Sequence, residues 1–154
     1  AMIHEMLYQS NDIAMVKLDE YLQSLVDLCR RNTLGESVQI VSRLQPLEIT
    51  MDTAVTMGLI CNEVLSNVFK HAFRTHETGN RLLVRCEQYG NRIRFRIKDN
   101  GIGFEGFSQN KKCIGIMLVH SLAEKLPDAK IVYKKWCGTY FSLEFLNESY
   151  ISDR

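Results

Sequence analysis

A strict two-residue alternation between residues 92 and 98 is the pattern that most constrains the fold. Apolar Ile93, Phe95 and Ile97 alternate with basic side chains, namely Arg92, Arg94, Arg96 and Lys98. Successive side chains of a β-strand point to opposite faces of its sheet, so this segment predicts a strand with one apolar face and one charged face. The charged face needs water, and we therefore expect a sheet that is covered on one face only.

The other segments alternate between helical and extended patterns. Helices are predicted over residues 2–32, interrupted near Ser10-Asn11-Asp12 and with Asp19 as a candidate cap, over residues 52–73 with Asp52 as N-cap, and over residues 114–126 before Pro127. Strands are predicted over residues 38–44, 81–89, 92–98, 129–136 and 139–146, with a turn at Gly90-Asn91. This order predicts an α/β two-layer sandwich, in which a mixed, mostly antiparallel sheet carries helices on one face behind an N-terminal helical lead-in.

The apolar positions of each predicted helix indicate which side it buries. At helical spacing, the apolar residues of each helix fall on one face, which we expect to be buried. In chain order, these faces are formed by Leu22, Leu25, Val26 and Cys29; by Val55, Leu59, Val64, Leu65 and Val68; and by Ile114, Leu118, Leu122 and Leu126.

Composition narrows the class of protein. The chain has 154 residues, 45% of them hydrophobic, which fits one globular domain with its own core. The formal net charge of +1 implies no overall attraction to nucleic acid or to acidic membranes. There is no apolar run long enough to cross a bilayer and no secretory signal. The five scattered cysteines fit neither a metal site nor a disulfide framework, so we expect them reduced and the protein cytoplasmic.

Three polar residues align on the longest predicted helix. Glu63, Asn67 and Lys70 stand at i, i+4 and i+7 and therefore share one face. A carboxylate beside an amide oxygen can hold hydrated Mg²⁺, and a lysine one turn further can meet a phosphate. Taken alone, the same stripe also fits a solvated helix surface.

Three glycine-containing stretches extend this chemistry. Asp99-Asn100-Gly101-Ile102-Gly103-Phe104 follows the alternating strand, where Asp99 can accept a hydrogen bond from an exocyclic amine such as that of adenine. Gly115 opens an amphipathic helix whose free N–H groups can face an anion. Gly138-Thr139-Tyr140-Phe141 enters the last strand. Each stretch alone also has a plain reading, respectively a glycine-rich turn, close helix packing and a β-turn.

Together the four stretches resemble the ATP-binding signature of the GHKL superfamily, which comprises gyrase, Hsp90, histidine kinases and MutL. Glu63, Asn67 and Lys70-His71-Ala72 match its N box, and Asp99-x-Gly101-x-Gly103-Phe104 matches the first glycine box. Gly115-x-x-Leu118-Val119 and Gly138-Thr139-x-Phe141 match the other two boxes. Residues 52–63 and the compact loop before Cys113 resemble the histidine kinases of the subgroup with the second, less common phosphoacceptor domain.

The resemblance implies a Bergerat-type ATP-binding fold with ATP and Mg²⁺ as cofactors. By similarity, Asn67 coordinates Mg²⁺, with Glu63 adding to it through water or polarising the attacking imidazole. Catalytic roles then fall to Glu63 and Lys70. The ATP-binding set implied is Asn67, Lys70 and His71 at the phosphates, Asp99 and Thr139 at adenine, and Gly101, Gly103, Gly115 and Leu118 around the pocket. Lys111 and Lys112 depart from the usual small residues of the second box; they add phosphate contacts or are solvated lid charges.

The resemblance also implies a domain layout and partners. We expect residues 1–32 to be the end of the dimerisation and phosphoacceptor region, residues 33–147 the ATP-binding catalytic domain, and residues 148–154 a tail. The phosphorylated histidine is expected upstream of this chain, since His4 does not match it. Expected partners are the dimerisation helices and a response regulator, without nucleic acid or membrane contact. The chain alone is expected to be monomeric and the longer protein a homodimer.

Three other readings stay open on sequence. An anti-sigma-factor-type serine kinase shares the fold and boxes. A nucleic-acid-binding module could use the face of Arg92, Arg94 and Arg96, although no aromatic residues interleave with these charges. A degenerate ATP-sensing domain is disfavoured by the presence of Glu63, Asn67 and Asp99.

Overall fold

The computed structural model describes residues 14–32, 38–73, 79–101, 113–135 and 137–151. Its strands are β1 (Met15–Lys17), β2 (Val38–Leu44), β3 (Glu48–Thr50), β4 (Asn80–Tyr89), β5 (Arg92–Asp99), β6 (Lys130–Lys135) and β7 (Thr139–Leu146). Its helices are α1 (Leu18–Asn32), α2 (Met51–Asn67), α3 (Cys113–Ala123) and the short α4 (Glu148–Ile151). A π-helical turn, Val68–Ala72, continues directly from α2.

Five strands form the main sheet in the order β2-β4-β5-β7-β6. β2 runs parallel to β4, and every other neighbouring pair in this sheet is antiparallel. A second sheet pairs β1 with β3. The predicted mixed, mostly antiparallel α/β sandwich is confirmed, with the alternating strand β5 at the centre of the sheet.

One face of the sheet and helices α1, α2 and α3 share a single hydrophobic core. Ile93, Phe95 and Ile97 of β5 are fully buried in it, as the alternation predicts. The basic side chains of β5 lie half-buried on the opposite face and pair with acidic neighbours: Arg92 with Asp128 and Glu144, Arg94 with Glu144, and Arg96 with Glu87. No helix in the described ranges has the length and apolar character needed to cross a membrane.

The N-terminal helix prediction is wrong for residues 15–17. These residues form strand β1, which pairs with β3 in the register Val16 with Ile49, and the N–H of Leu18 donates to the carbonyl of Leu47 at 2.8 Å. The prediction fails because residues 15–17 become a strand by pairing with β3, a strand too short to show an alternating pattern of its own. Helix α1 buries Leu22 and Val26 as predicted, and Leu25 and Cys29 are partly buried.

Asp19 lies in the first turn of α1. Since the domain layout rests on the resemblance, the division after residue 32 stays a prediction. Leu18, Leu22 and Val26 of α1 nevertheless belong to the same core as the sheet.

Helix α2 differs from its prediction at the start and along its apolar side. Thr50 caps it, accepting a hydrogen bond from the N–H of Thr53, while Asp52 lies in the first turn. Val55 and Leu59 are 49% and 52% exposed, so their assignment to the core is wrong. The buried side is displaced around the helix to Ala54, Met57, Ile60, Cys61, Val64 and Leu65, because α2 packs on α1 and α3 as well as on the sheet.

Helix α3 ends at Ala123, three residues before the predicted end. Leu122 and Leu126 are buried as predicted, but Leu118 is exposed and Val119 takes its place in the core. The side chain of Ile114 lies outside the described part of the chain.

Thr50→Ala is expected to lower the free energy of unfolding by about 1 kcal/mol, because the cap of α2 loses its oxygen. Thr50→Ser keeps that oxygen and serves as the control, and Asp52→Ala is expected to cost only about 0.3–0.5 kcal/mol through the helix dipole. Urea unfolding followed by circular dichroism measures all three. A larger loss of unfolding free energy in Asp52→Ala than in Thr50→Ala would show that Asp52, and not Thr50, caps α2.

Candidate nucleotide-binding site

Three glycines mark the places where the elements of the candidate site meet most closely. A Cβ atom on Gly101 would overlap the carbonyl oxygen of Ala72, and one on Gly138 would overlap the carbonyl oxygen of Asp99. A Cβ on Gly115 would lie 2.5 Å from Glu63 Oε1 and 3.5 Å from Asn67 Nδ2. The end of α2, the π-helical turn, the end of β5 and the starts of α3 and β7 therefore converge on one region.

Asp99 ends β5 inside this region and is only 2% exposed. Its Oδ1 atom accepts hydrogen bonds from the N–H of Gly101 at 2.8 Å and from the N–H of Thr139 at 3.1 Å. Its Oδ2 atom is buried and has no hydrogen-bond partner among the described residues. A buried carboxylate oxygen without a partner is costly, and it is therefore a strong acceptor for a ligand donor.

Burial raises the pKa of the Asp99 carboxyl above its ordinary value, because the charged form loses its hydration. The hydrogen bonds from the backbone of Gly101 and Thr139 oppose this shift by stabilising the charge, and the nearby Thr139 hydroxyl adds to them. The hydroxyl does not reach the geometry of a complete hydrogen bond. Burial is the larger effect, so the fold favours the protonated carboxyl more than an unfolded chain does.

Thr139 opens β7 beside Asp99 and is 1% exposed. Its Oγ1 atom is also buried without a partner in the described part of the chain. Gly138 precedes Thr139 and has a φ of 114°. Residues with a side chain rarely adopt this backbone angle, so glycine is needed for the chain to enter β7 here. Asp99 and Thr139 thus place two buried polar oxygens side by side, neither with a complete hydrogen bond among the described residues. The adenine-binding role that the resemblance implies for them stays a prediction.

Glu63 and Asn67 lie half-buried near the end of α2, facing Gly115 at the start of α3. A Cβ atom at Gly115 would displace the carboxylate of Glu63, which is the end of a side chain and not part of the backbone. The Nδ2 atom of Asn67 is buried and makes no complete hydrogen bond to any described residue. The carboxylate and the amide thus lie beside the start of α3, and the Mg²⁺ and phosphate roles predicted for them stay predictions.

Lys70 and His71 lie on the π-helical turn, which the sequence does not predict. Lys70 is exposed and His71 is half-buried. The wider i→i+5 turn rotates each residue less than an α-helix does, so Lys70 departs from the regular line through Glu63 and Asn67. It also places Ala72 against Gly101, and single π-turns of this kind often occur at functional sites.

The remaining predicted residues divide into two groups. Leu118 is exposed, one turn beyond Gly115 on α3. Gly103, Lys111 and Lys112 lie outside the described residues.

Sequence reasoning missed two residues of this region. The side chain of Asn100 accepts from the N–H of Arg81 at 2.7 Å and donates to the carbonyl of Gly79 at 2.9 Å, which fixes the turn after β5 to the start of β4. Tyr133 of β6 is buried and packs edge-on against Phe141 at 5.2 Å between ring centroids. An asparagine after an aspartate at a strand end is a usable signal for the first, whereas no local pattern marks the second.

The arrangement fits a nucleotide better than a protein-only metal centre. No group of three or more histidine, cysteine or acidic side chains within the described ranges could hold a metal ion. One amide and one carboxylate near a helix N-terminus instead suit Mg²⁺ that keeps waters and phosphate oxygens as its other ligands. The fold and the site together fit a nucleotide-binding α/β domain.

The comparison with family models agrees with that class. The chain belongs to the family described as histidine kinase-like ATPase domain, whose model matches residues 29–132.

Known relatives extend the similarity. Blue-light-activated histidine kinase 2 from Erythrobacter litoralis is 23% identical over 150 residues, covering 91% of this chain and 43% of the relative. The histidine kinase domain of the E. litoralis EL346 blue-light-activated kinase superposes with a TM-score of 0.76 at 19% identity, covering 87% of this chain and 63% of that one. The mycobacterial sensor histidine kinase MprB gives 0.66 at 18% identity, covering 86% and 96% respectively. The chain thus spans less than half the length of blue-light-activated histidine kinase 2.

The raised pKa of Asp99 predicts how stability depends on pH. A raised folded-state pKa stabilises the fold at low pH, and this contribution is lost as the pH rises from about 4 through the folded-state pKa. Asp99→Asn cannot titrate, so its free energy of unfolding should decline less over this window. Thermal unfolding of both proteins at a series of pH values gives the difference. A steeper rise of stability with pH in the parent chain would contradict the direction of the shift.

Gly138→Ala is expected to lower the free energy of unfolding by about 3 kcal/mol, because strain at its backbone angle adds to the overlap with Asp99. Gly90→Ala is the matched control, since Gly90 also has a positive φ, 60°, but nothing lies within 4 Å of its Cβ position. Backbone strain alone should cost about 1 kcal/mol there. Equal losses in the two variants, measured by urea unfolding, would show that the contact with Asp99 costs nothing.

Proposed function

We propose that the chain binds Mg-ATP and transfers the γ-phosphate to a histidine on another segment of a two-component sensor kinase. The observation that carries this proposal is the pair of buried oxygens, Asp99 Oδ2 and Thr139 Oγ1, neither of which makes a complete hydrogen bond to a described residue. Membership of the histidine kinase-like ATPase domain family and relatives named as histidine kinases support it.

Asp99 selects the base in this proposal. Its free Oδ2 oxygen accepts a hydrogen bond from the exocyclic amine of adenine, while Oδ1 stays fixed by two backbone N–H groups. Thr139 supports the same ring edge through its hydroxyl, directly or through water. Guanine presents a carbonyl oxygen where adenine has its amine, so two acceptors would face each other and GTP is rejected.

The phosphate end uses α2, the π-helical turn and α3. The amide oxygen of Asn67 is the proposed ligand of Mg²⁺, and Glu63 acts on it through water. The N-terminus of α3 at Gly115 faces the phosphates with unpaired N–H groups, and Lys70 and His71 add positive charge and hydrogen bonds. Mg²⁺, when bound, neutralises phosphate charge, which is the main requirement of phosphoryl transfer.

Glu63 has a second proposed task. Its carboxylate lies at the contact with Gly115, where it can accept a hydrogen bond from the attacking imidazole and keep the reactive nitrogen unprotonated. Positioning and charge neutralisation then provide the rate, without covalent chemistry by the chain itself. Glu63 and Lys70 are accordingly the proposed catalytic residues.

The proposed partners follow from the same role. They are the dimerisation and phosphoacceptor helices and a response regulator, with residues 1–32 leading from those helices into the catalytic domain. The proposed compartment is the cytoplasm, which the thiols of Cys61, Cys86 and Cys137 support, since they form no disulfide among the described residues.

The ion pairs on the open sheet face disfavour the nucleic-acid alternative. Arg92, Arg94 and Arg96 each pair with an acidic side chain, and such pairs would have to break before these arginines could bind phosphates. The anti-sigma-factor-type serine kinase shares the proposed pocket and differs in the phosphorylated side chain.

Titration calorimetry with Mg-ADP and Mg-AMPPNP tests the pocket. The parent chain should bind both and not GTP, while Asp99→Asn and Asn67→Asp should weaken binding about 10- to 100-fold, the loss expected for hydrogen bonds to charged groups. Asp52→Asn and Asn62→Asp make the same chemical changes at exposed positions of α2 and serve as controls.

If Asp99→Asn binds Mg-ADP and Mg-AMPPNP as tightly as the parent chain, Asp99 does not bind adenine. If a folded parent chain binds no nucleotide, the proposal fails as a whole. In a longer protein that includes the dimerisation helices, acid-labile phosphate on histidine supports the histidine kinase, whereas acid-stable phosphate on serine of a partner supports the serine kinase.

A further inference from the structure

Tyr133 extends the candidate site from the third strand that borders it. In the sheet, Tyr133 of β6 lies opposite Phe141 of β7, and Phe141 lies opposite Ile97 of β5. Thr139 and Asp99 stand two residues from Phe141 and Ile97 respectively, so both share the helix-covered face with Tyr133. The phenol therefore enters the site from the side of the sheet opposite β4.

The phenol ring is buried and packed in this position. Tyr133 is 8% exposed, and its ring meets that of Phe141 at an interplanar angle of 73°. An edge-to-face contact of this kind stabilises the pair of rings, and the position of the ring in turn sets the position of the hydroxyl oxygen.

The electrostatic surroundings of the hydroxyl identify its neighbours. Burial raises the pKa of the Tyr133 phenol, the Asn67 amide opposes this by donating toward the phenol oxygen, and the carboxylates of Asp99 and Glu63 raise it further. Because Tyr133 shares its face of the sheet with Asp99 and Thr139, its buried hydroxyl is near enough to both proposed ends of the site to be affected by their charges. The approach of Asn67 falls short of a complete hydrogen bond, since its Nδ2 atom has none among the described residues.

We propose that Tyr133 is a positioning residue of this site: its hydroxyl accepts a hydrogen bond from Asn67 Nδ2 and thereby turns Asn67 Oδ1 toward the Mg²⁺ of the bound nucleotide. The proposal rests on the function proposed above. An asparagine side chain has its acceptor and its donors on opposite branches of one planar amide, so fixing the nitrogen fixes the oxygen. Without the hydroxyl, the amide is free to flip, and Nδ2 can face the metal.

The test is nucleotide binding by Tyr133→Phe, with and without the metal. The variant keeps the ring against Phe141 and removes the hydroxyl alone. Its affinity for Mg-ADP should fall about five- to tenfold, the effect of one hydrogen bond, while its affinity for ADP in EDTA stays within about twofold of the parent chain. Tyr140→Phe is the control, because Tyr140 is the next residue to Phe141 but faces the other side of the sheet, against Lys134.

Two results would overturn the proposal. Unchanged binding of Mg-ADP would show that the hydroxyl does not act on the metal ligand. An equal loss with and without Mg²⁺ would assign the hydroxyl to the adenine end, through Asp99.

A second measurement keeps the failure of this proposal distinct from failure of the proposed function. The side-chain amide signal of Asn67 in a ¹⁵N spectrum, identified by its loss in Asn67→Asp, should shift in Tyr133→Phe and not in Tyr140→Phe, without any nucleotide. In the parent chain, the Asn67 amide signal should shift when Mg-ADP is added and should not shift when ADP is added in EDTA. This comparison uses the parent chain only, so it holds even if Tyr133→Phe does not fold. An amide signal that is insensitive to both changes refutes the hydrogen bond, whereas a chain that binds no nucleotide refutes the proposed function.

Discussion

The buried carboxylate of Asp99 is the group around which the other parts of the site are arranged. One of its oxygens is held by two backbone N–H groups, and the other is buried without a partner among the described residues. Burying such a group costs free energy that the rest of the core must offset. Gly138 allows the chain to pass directly over the Asp99 carbonyl, so the glycine before β7 serves the same carboxylate. A ligand that donates a hydrogen bond would recover part of this cost, which links stability to nucleotide binding.

The position of Asp99 depends on the alternation of β5. Its apolar residues pair with β4 on one side and β7 on the other, and this register sets the end of β5 beside the start of β7. The covered face then carries Asp99, Thr139 and Tyr133, while α2 brings Asn67 over them. The basic face contributes differently, because its ion pairs with Glu87, Asp128 and Glu144 connect neighbouring strands and turns across the open side of the sheet.

How well the sequence predicts each part depends on whether the signal is local. Strands β2 and β7 match their predicted ranges, since alternation and the flanking turn residues lie within the segments themselves. Strand β1 and the exposure of Val55 and Leu59 were predicted wrongly, because pairing with β3 and packing among three helices decide them. The motifs bring Asp99, Asn67, Gly115 and Thr139 into one region, whereas Tyr133 gives no local signal, since its place follows from the order of strands. The roles assigned to these residues stay predictions.

The two ends of the site differ in construction, and the difference fits the proposed reaction. The proposed adenine end is made of buried strand residues and backbone N–H groups, which would leave a bound base little freedom and allow strict selection. The phosphate end lies on the π-helical turn, where Lys70 is exposed rather than aligned with Glu63 and Asn67. A phosphate that must reach a histidine on another segment has to be accessible from outside, so a fully enclosed phosphate end would prevent transfer. In the proposed function, an exposed lysine on this turn would neutralise phosphate charge without closing the path to the acceptor histidine, because the departure from α-helical geometry moves it off the line of Glu63 and Asn67.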